Sequence, residues 1–93
     1  MAELLSEEGI ASRLEGSSWG REGQEIVRDW QFKDFREAMA FVNRVAETAE
    51  EANHHPDILV HGWNKVRLSL TNHSAGGLTE ADFEMAHKLD RLG

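Results

Sequence analysis

The chain has 93 residues, 17 acidic and 10 basic, with a formal net charge of −7 and no cysteine. This length fits a single domain over residues 1–93. The acidic balance argues against direct nucleic-acid binding, which needs a basic face, and the missing thiols exclude disulfides, thiolate chemistry and most structural zinc frameworks. A chain this short buries only roughly 60–65% of the surface that its unfolded form exposes, so self-association is expected to supply further burial. "MAELLSEEGI" reads as neither a signal peptide nor a basic transit peptide, and no apolar stretch nears the ~18 residues of a membrane span. The expected setting is the cytoplasm, with no membrane partner.

In chain order, Ser6 is placed to cap a short first helix. Glu7 and Glu8 suit its N-terminal end, and Ile10, Ala11 and Leu14 recur at helical spacing. "EGSSWGREG" reads as turn formers around Trp19. Residues 25–32 read as a strand with Ile26, Trp30 and Phe32 on one parity, an alternation that Arg28 breaks. Residues 34–52 carry the strongest helical pattern. Asp34 and Glu37 resemble a capping box, and Phe35, Ala38, Met39, Val42, Val45, Ala46 and Ala49 form an apolar stripe. Pro56 biases His55 toward extended geometry, so this helix should stop before it.

"DILVH" suits a short strand, and "KVRLSLTN" alternates cleanly, with Val66, Leu68 and Leu70 on one side. "HSAGG" reads as a loop. Thr79 opens a final helix with Asp82 at its third position and Phe83, Ala86, Leu89 and Leu92 as its buried edge. Two hairpin-like strand pairs separated by a long helix predict an α+β fold, an antiparallel sheet with helices packed on one face.

His54, His55 and His73 lie just past the ends of regular elements, where sites are usually built. Histidine exchanges protons near neutral pH, so several imidazoles around one pocket suit a reaction limited by proton transfer. The plain alternative is that they are surface or capping residues. Zinc is a poor fit, because adjacent histidines chelate badly and no carboxylate or thiolate pattern completes a ligand set. Neighbouring side chains in an extended segment point apart, so His54 and His55 face one pocket only if the backbone turns there. Asp82 reads first as a helix cap, Gly76 and Gly77 as turn residues, and His61 and His87 as ordinary polar residues. Trp19, Trp30 and Trp63 read as core or interface residues, with Trp63 the one candidate for a stacking platform.

"AEEANHHPDI" followed by "WNKVRLSLTNHSAGGLTEAD" resembles the pterin-4a-carbinolamine dehydratase family. The likeness runs from Glu50 and the His54-His55-Pro56 triplet through Trp63-Asn64-Lys65-Val66 and His73 to Gly77-Leu78-Thr79 and Asp82. "FKDF" at 32–35 adds to it, and the whole covers roughly residues 19–90. Trp63 stands where tyrosine is common, Asn72 where threonine is usual, and the loop lacks the cysteine of some animal members.

The resemblance implies a four-stranded antiparallel sheet with helices on one face, and assembly as a homodimer or homotetramer. It implies dehydration of 4a-hydroxytetrahydropterin to quinonoid dihydropterin in tetrahydropterin recycling, with neither metal nor cofactor. By the same likeness His54, His55 and His73 are catalytic. His54 and His73 are expected to exchange protons while His55 chiefly places the pterin. Asn53, Thr71, Asn72 and Ser74 join the histidines in binding substrate, with Glu50, Pro56, Trp63 and Asp82 in support and Glu50 orienting a histidine. The alternative it carries is a non-enzymatic role on the same fold. Animal members also stabilise the dimer of a homeodomain transcription factor. Other relatives act as assembly or chaperone-like factors, which are expected to lose the histidine set.

Overall fold

The computed structural model describes residues 3–93. Within them the elements run α1 (Glu7–Leu14), β1 (Gly20–Glu22), β2 (Glu25–Gln31), α2 (Phe35–Ala52), β3 (Asp57–His61), β4 (Lys65–Leu70) and α3 (Glu80–Asp90). The four strands form one antiparallel sheet in the order β1-β2-β4-β3. The fold is therefore α+β, as the two periodicities require. No helix among the described residues is long and apolar enough to cross a membrane.

Register decides which face is buried. Ile26 lies opposite Leu70, Arg28 opposite Leu68 and Trp30 opposite Val66. The apolar members of these pairs are at most 9% exposed. They meet Ala38, Phe41, Val45 and Ala49 of α2 and Phe83, Met85, Ala86 and Leu89 of α3 in one apolar cluster. Arg28 breaks the alternation of β2 yet sits on the core-facing parity. Its stem runs inward and its guanidinium lies 4.4 Å over the Trp30 ring, ion-paired with Asp90 at 2.5 Å. A long cationic side chain can thus occupy an inward position while its head stays solvated and paired. Asp90 also accepts from the indole N–H of buried Trp19 at 2.8 Å, which ties α3 to the segment before β1.

Three local features depart from the sequence expectation. β1 lies inside the stretch read as turns. It is three residues long and joined to β2 by Gly23–Gln24, with Gly23 at φ 61°, the positive φ that a two-residue hairpin turn requires of its first residue. On α2 the stripe is shifted: Phe35 is 54% exposed and Ala46 is exposed, whereas Phe41, outside the expected stripe, is fully buried. Phe41 packs on Trp30 and Phe32 with ring centroids 4.9 and 5.0 Å away. β4 ends at Leu70, so Thr71 and Asn72 belong to the following loop. The caps otherwise form where expected. Ser6 Oγ accepts from Gly9 N–H and Asp34 Oδ1 from Glu37 N–H. Glu37 returns its bond to Lys33 N–H, one residue before the cap.

The other sheet face is polar. Arg67 of β4 donates twice to Asp29 of β2, at 2.8 and 3.1 Å, and also pairs with Glu22 at 3.6 Å. The Arg67 hydrogen bond holds the Asp29 carboxyl below its usual range, against a smaller opposing effect of desolvation. A depressed folded value contributes stability above the unfolded carboxylate range that is lost as pH falls through the folded value. Asp29→Asn is therefore expected to lower stability by roughly 0.2–1 kcal/mol near neutral pH, the scale of a solvent-screened pair. That difference should begin to shrink near the usual Asp value of ~3.9 and vanish only once pH has fallen below the lowered folded value. Urea unfolding of both proteins across that range checks it, and a gap that widens in acid would refute the assignment.

Candidate functional site

The C-terminal end of α2 builds one wall of the main cleft. Asn53 adopts left-handed geometry (φ 51°, ψ 41°) and caps α2, with its N–H facing the last carbonyls of the helix. His54 N–H then bonds Ala49 O at 3.1 Å. This is a common way for a helix to end, asparagine being one of the few non-glycine residues that tolerate the turn. It throws His54 and His55 off the helix axis, and buried Pro56 leads the chain into β3.

The opposite wall is the loop after β4, a ring closed by its own hydrogen bonds. Asn72 N–H donates to Gly77 O at 3.0 Å, and Asn72 O accepts from Gly76 N–H and Gly77 N–H at 2.9 and 3.2 Å. The Asn72 side chain accepts from Ala75 N–H at 3.0 Å, and Gly76 supplies the positive φ of 82° that the ring needs. Thr71 Oγ1 donates to Gln24 O at 2.7 Å and anchors the loop to the β1–β2 turn. His73 and Ser74 therefore project from a braced loop.

Between these walls lies a half-open cleft of about 410 Å³, lined by Asn53, His54, His55, Thr71, Asn72, His73, Ser74 and Ala75. That volume is in the usual range for small-molecule sites, roughly 300–1,000 Å³. The structure brings His54, His55 and His73 together with Asn53, Thr71, Asn72 and Ser74, and adds Ala75. His54 and His55 both line the cleft although they are neighbours, because the chain between helix cap and strand is irregular there.

Their rings are held by different partners. His54 Nε2 lies 2.7 Å from Oδ1 of Asp82, which is fully buried. Asp82 Oδ2 accepts from both the N–H and the hydroxyl of Thr79, at 2.8 and 3.2 Å, so the same carboxyl caps α3. An ionised Asp82 carries only acceptor oxygens, so this contact assigns the N–H to His54 Nε2. This leaves Nδ1 of the neutral ring as the free, proton-accepting nitrogen. Asp82 is thus more than a cap: it couples α3 to the cleft. His55 Nε2 meets Glu50 Oε2, and that pair is more exposed, at 57% and 76% of the two side chains.

Trp63 is not in the cleft. It sits in the three-residue turn between β3 and β4, 62% exposed and at φ 56°, beside Gly62 at 55°. Asn64 ties this turn to Phe32 by two hydrogen bonds of 2.8 and 2.9 Å. The five residues of β3 carry Trp63 to the far end of the sheet from the histidine pair, about 17 Å at the usual strand rise. Nearness in sequence to both histidine segments did not translate into nearness in space. Among the described residues no three His, Asp or Glu side chains gather into a metal-ligating group.

The family model described as "Pterin 4 alpha carbinolamine dehydratase" matches residues 3–92. A Thermomicrobium roseum protein, named provisionally as a pterin-4-alpha-carbinolamine dehydratase, is 57% identical over 89 residues, which is 95% of each chain. Among solved structures, a transcriptional coactivator/pterin dehydratase from Brucella melitensis superposes with a TM-score of 0.87 at 33% identity, covering 95% of this chain and 96% of that one. A pterin dehydratase-like protein described as a RuBisCO assembly factor in the alpha-carboxysome superposes with a TM-score of 0.68 at 27% identity, covering 81% and 88%.

Proposed function

The chain belongs to the pterin 4 alpha carbinolamine dehydratase family, and from that premise we propose that it dehydrates a 4a-hydroxytetrahydropterin to quinonoid dihydropterin by histidine acid–base catalysis. The observation that carries the reading is the meeting of His54, His55 and His73, from two separate segments, on one ligand-sized cleft. The substrate is a carbinolamine, with a hydroxyl on C4a and a proton on the adjacent N5. The C4a–O bond breaks as the hydroxyl takes a proton and leaves as water. N5 gives up its proton, and the C4a–N5 double bond forms. The reaction needs one acid and one base, and no electrons leave or enter the substrate.

In our assignment His54 and His73 exchange these protons. The buried Asp82 presents the free nitrogen of His54, and His73 stands on the facing loop. His55, at the rim and held by Glu50, borders the pterin, with Asn53, Thr71, Asn72 and Ser74 offering polar groups to the ring. Tetrahydropterin recycling is the setting that this product suits. A homodimer or homotetramer fits the thin core, and the edge strand β3 exposes Ile58 at 39% and Leu59 at 54%, an apolar edge that self-association would cover.

The test is a rate. A hydroxylase generates the 4a-hydroxytetrahydropterin, and its loss is followed with and without the purified protein. Acceleration supports the reading; none, from folded protein, overturns it. The second reading is an assembly or coactivator role, which the descriptions of the two solved relatives bring to mind. A chain retained only for assembly has no need of three imidazoles around one cleft. The same assay separates the two.

A further inference from the structure

The three cleft histidines are not aimed in the same way. His54 has Asp82 on its ring and His55 has Glu50, whereas the ring of His73 has no hydrogen-bond partner among the described residues. His73 is also exposed. Its placement therefore depends on the backbone that carries it. That backbone includes Gly76 and Gly77, and glycine loses more conformational freedom on ordering than any other residue. Without bracing, such a loop would spread His73 over many positions.

The two residues before His73 spend their side chains on that bracing. Strand register sets Ile26 opposite Leu70, which brings the β1–β2 turn beside the start of the loop. Thr71 Oγ1 then donates to Gln24 O across 47 positions, and Asn72 Oδ1 accepts from Ala75 N–H, beyond His73. The far end of the loop is seated from the same turn. A Cβ added at Gly77 would lie 3.0 Å from Gln24 Oε1 and 3.1 Å from Leu4 Cδ2. Gln24 thus meets the loop on both sides of His73. The hydroxyl proton of Thr71 and the side-chain carbonyl of Asn72 are engaged inside the protein, which leaves a hydroxyl oxygen and the amide N–H groups for a bound ring. Resting on the dehydratase reading, we infer that Thr71 and Asn72 are positioning residues that act on the reaction through His73, with Gln24 as the anchor against which they hold it. Their bonds stand in for the ring partner that His73 lacks. The proton transfer itself stays with His73.

Double-mutant cycles on the full chain, read in the dehydration assay, test this. Thr71→Val and Asn72→Ala should each lower kcat by about tenfold, part of the ~10²-fold that a 1 Å misplacement can cost, with KM within about twofold. Asn72→Thr, whose hydroxyl oxygen can take the same Ala75 N–H, should recover most of that loss. In a His73→Ala background the positioned ring is gone, and adding Thr71→Val or Asn72→Ala should cost no more than about twofold. A residue that only supports the fold, or one that acts by touching the pterin, would keep its full effect in that background. Urea midpoints accompany each variant; if Thr71→Val is unfolded, the Asn72 cycle decides alone. Losses confined to KM, losses undiminished in His73→Ala, or wild-type kcat in both folded variants overturn this inference and leave the dehydratase reading standing. No acceleration by folded wild-type protein overturns both.

Discussion

His54→Ala or His73→Ala should lower dehydration turnover by about 10²-fold or more with the fold intact, the usual contribution of a positioned acid or base. Both histidines stand outside the regular elements, and neither belongs to the apolar cluster. Removing His54 takes one hydrogen bond from Asp82 but leaves the two from Thr79, so α3 keeps its cap. Circular dichroism and urea midpoints close to wild type, together with the rate loss, would assign the effect to chemistry. His55→Ala should behave differently. Its ring lies at the rim against Glu50, so its loss should appear mainly as a raised KM. Near-normal turnover in both His54→Ala and His73→Ala would sink the role assignment.

Asp82→Ala should damage stability and rate together, because one buried carboxyl serves two elements. It removes the bonded group at the start of α3, leaves Thr79 N–H without its partner in a buried place, and frees His54 Nε2. The lost cap and the unsatisfied buried donor are one and the same bond, so a total of about 1–3 kcal/mol is expected. Turnover should fall by roughly 10²-fold, since an imidazole in the wrong tautomer or orientation forfeits most of its acid–base value. Asp82→Asn separates the two effects. Its amide oxygen can still accept from Thr79, so most of the stability should return. Its N–H would face His54 Nε2 and favour the other tautomer, so the rate should stay low and the pH–rate profile should change. Full activity in a folded Asp82→Asn protein would show that the carboxyl acts only as a cap.

Much of this architecture is local and was open to sequence reasoning. The alternation of Val66, Leu68 and Leu70 marks β4, and all three are fully buried. Asp34, Asn53 and Thr79 bound helices because their side chains or left-handed geometry satisfy backbone groups within a few residues. The histidine cluster was legible for a different reason. Spacing alone could not single out His54, His55 and His73; the resemblance carried by the longer pattern did, and the three line one cleft. β1 escaped notice because three residues are too few to show a period of two. Phe35 and Phe41 exchanged their expected places because a stripe read from composition carries no knowledge of where Trp30 and Phe32 will sit.

By itself, then, the sequence determined the helices, the main strands, the α+β class and the family, since each rests on short-range periodicity, capping chemistry or a contiguous motif. Only the tertiary structure decided that Trp63 lies at the far end of the sheet, that Asp82 reaches across 28 positions to His54, and that Gln24 meets the loop bearing His73. The physical reason is that backbone torsions and caps act over a few residues. Which distant side chains meet depends instead on strand register and on how the helices pack against one face of the sheet.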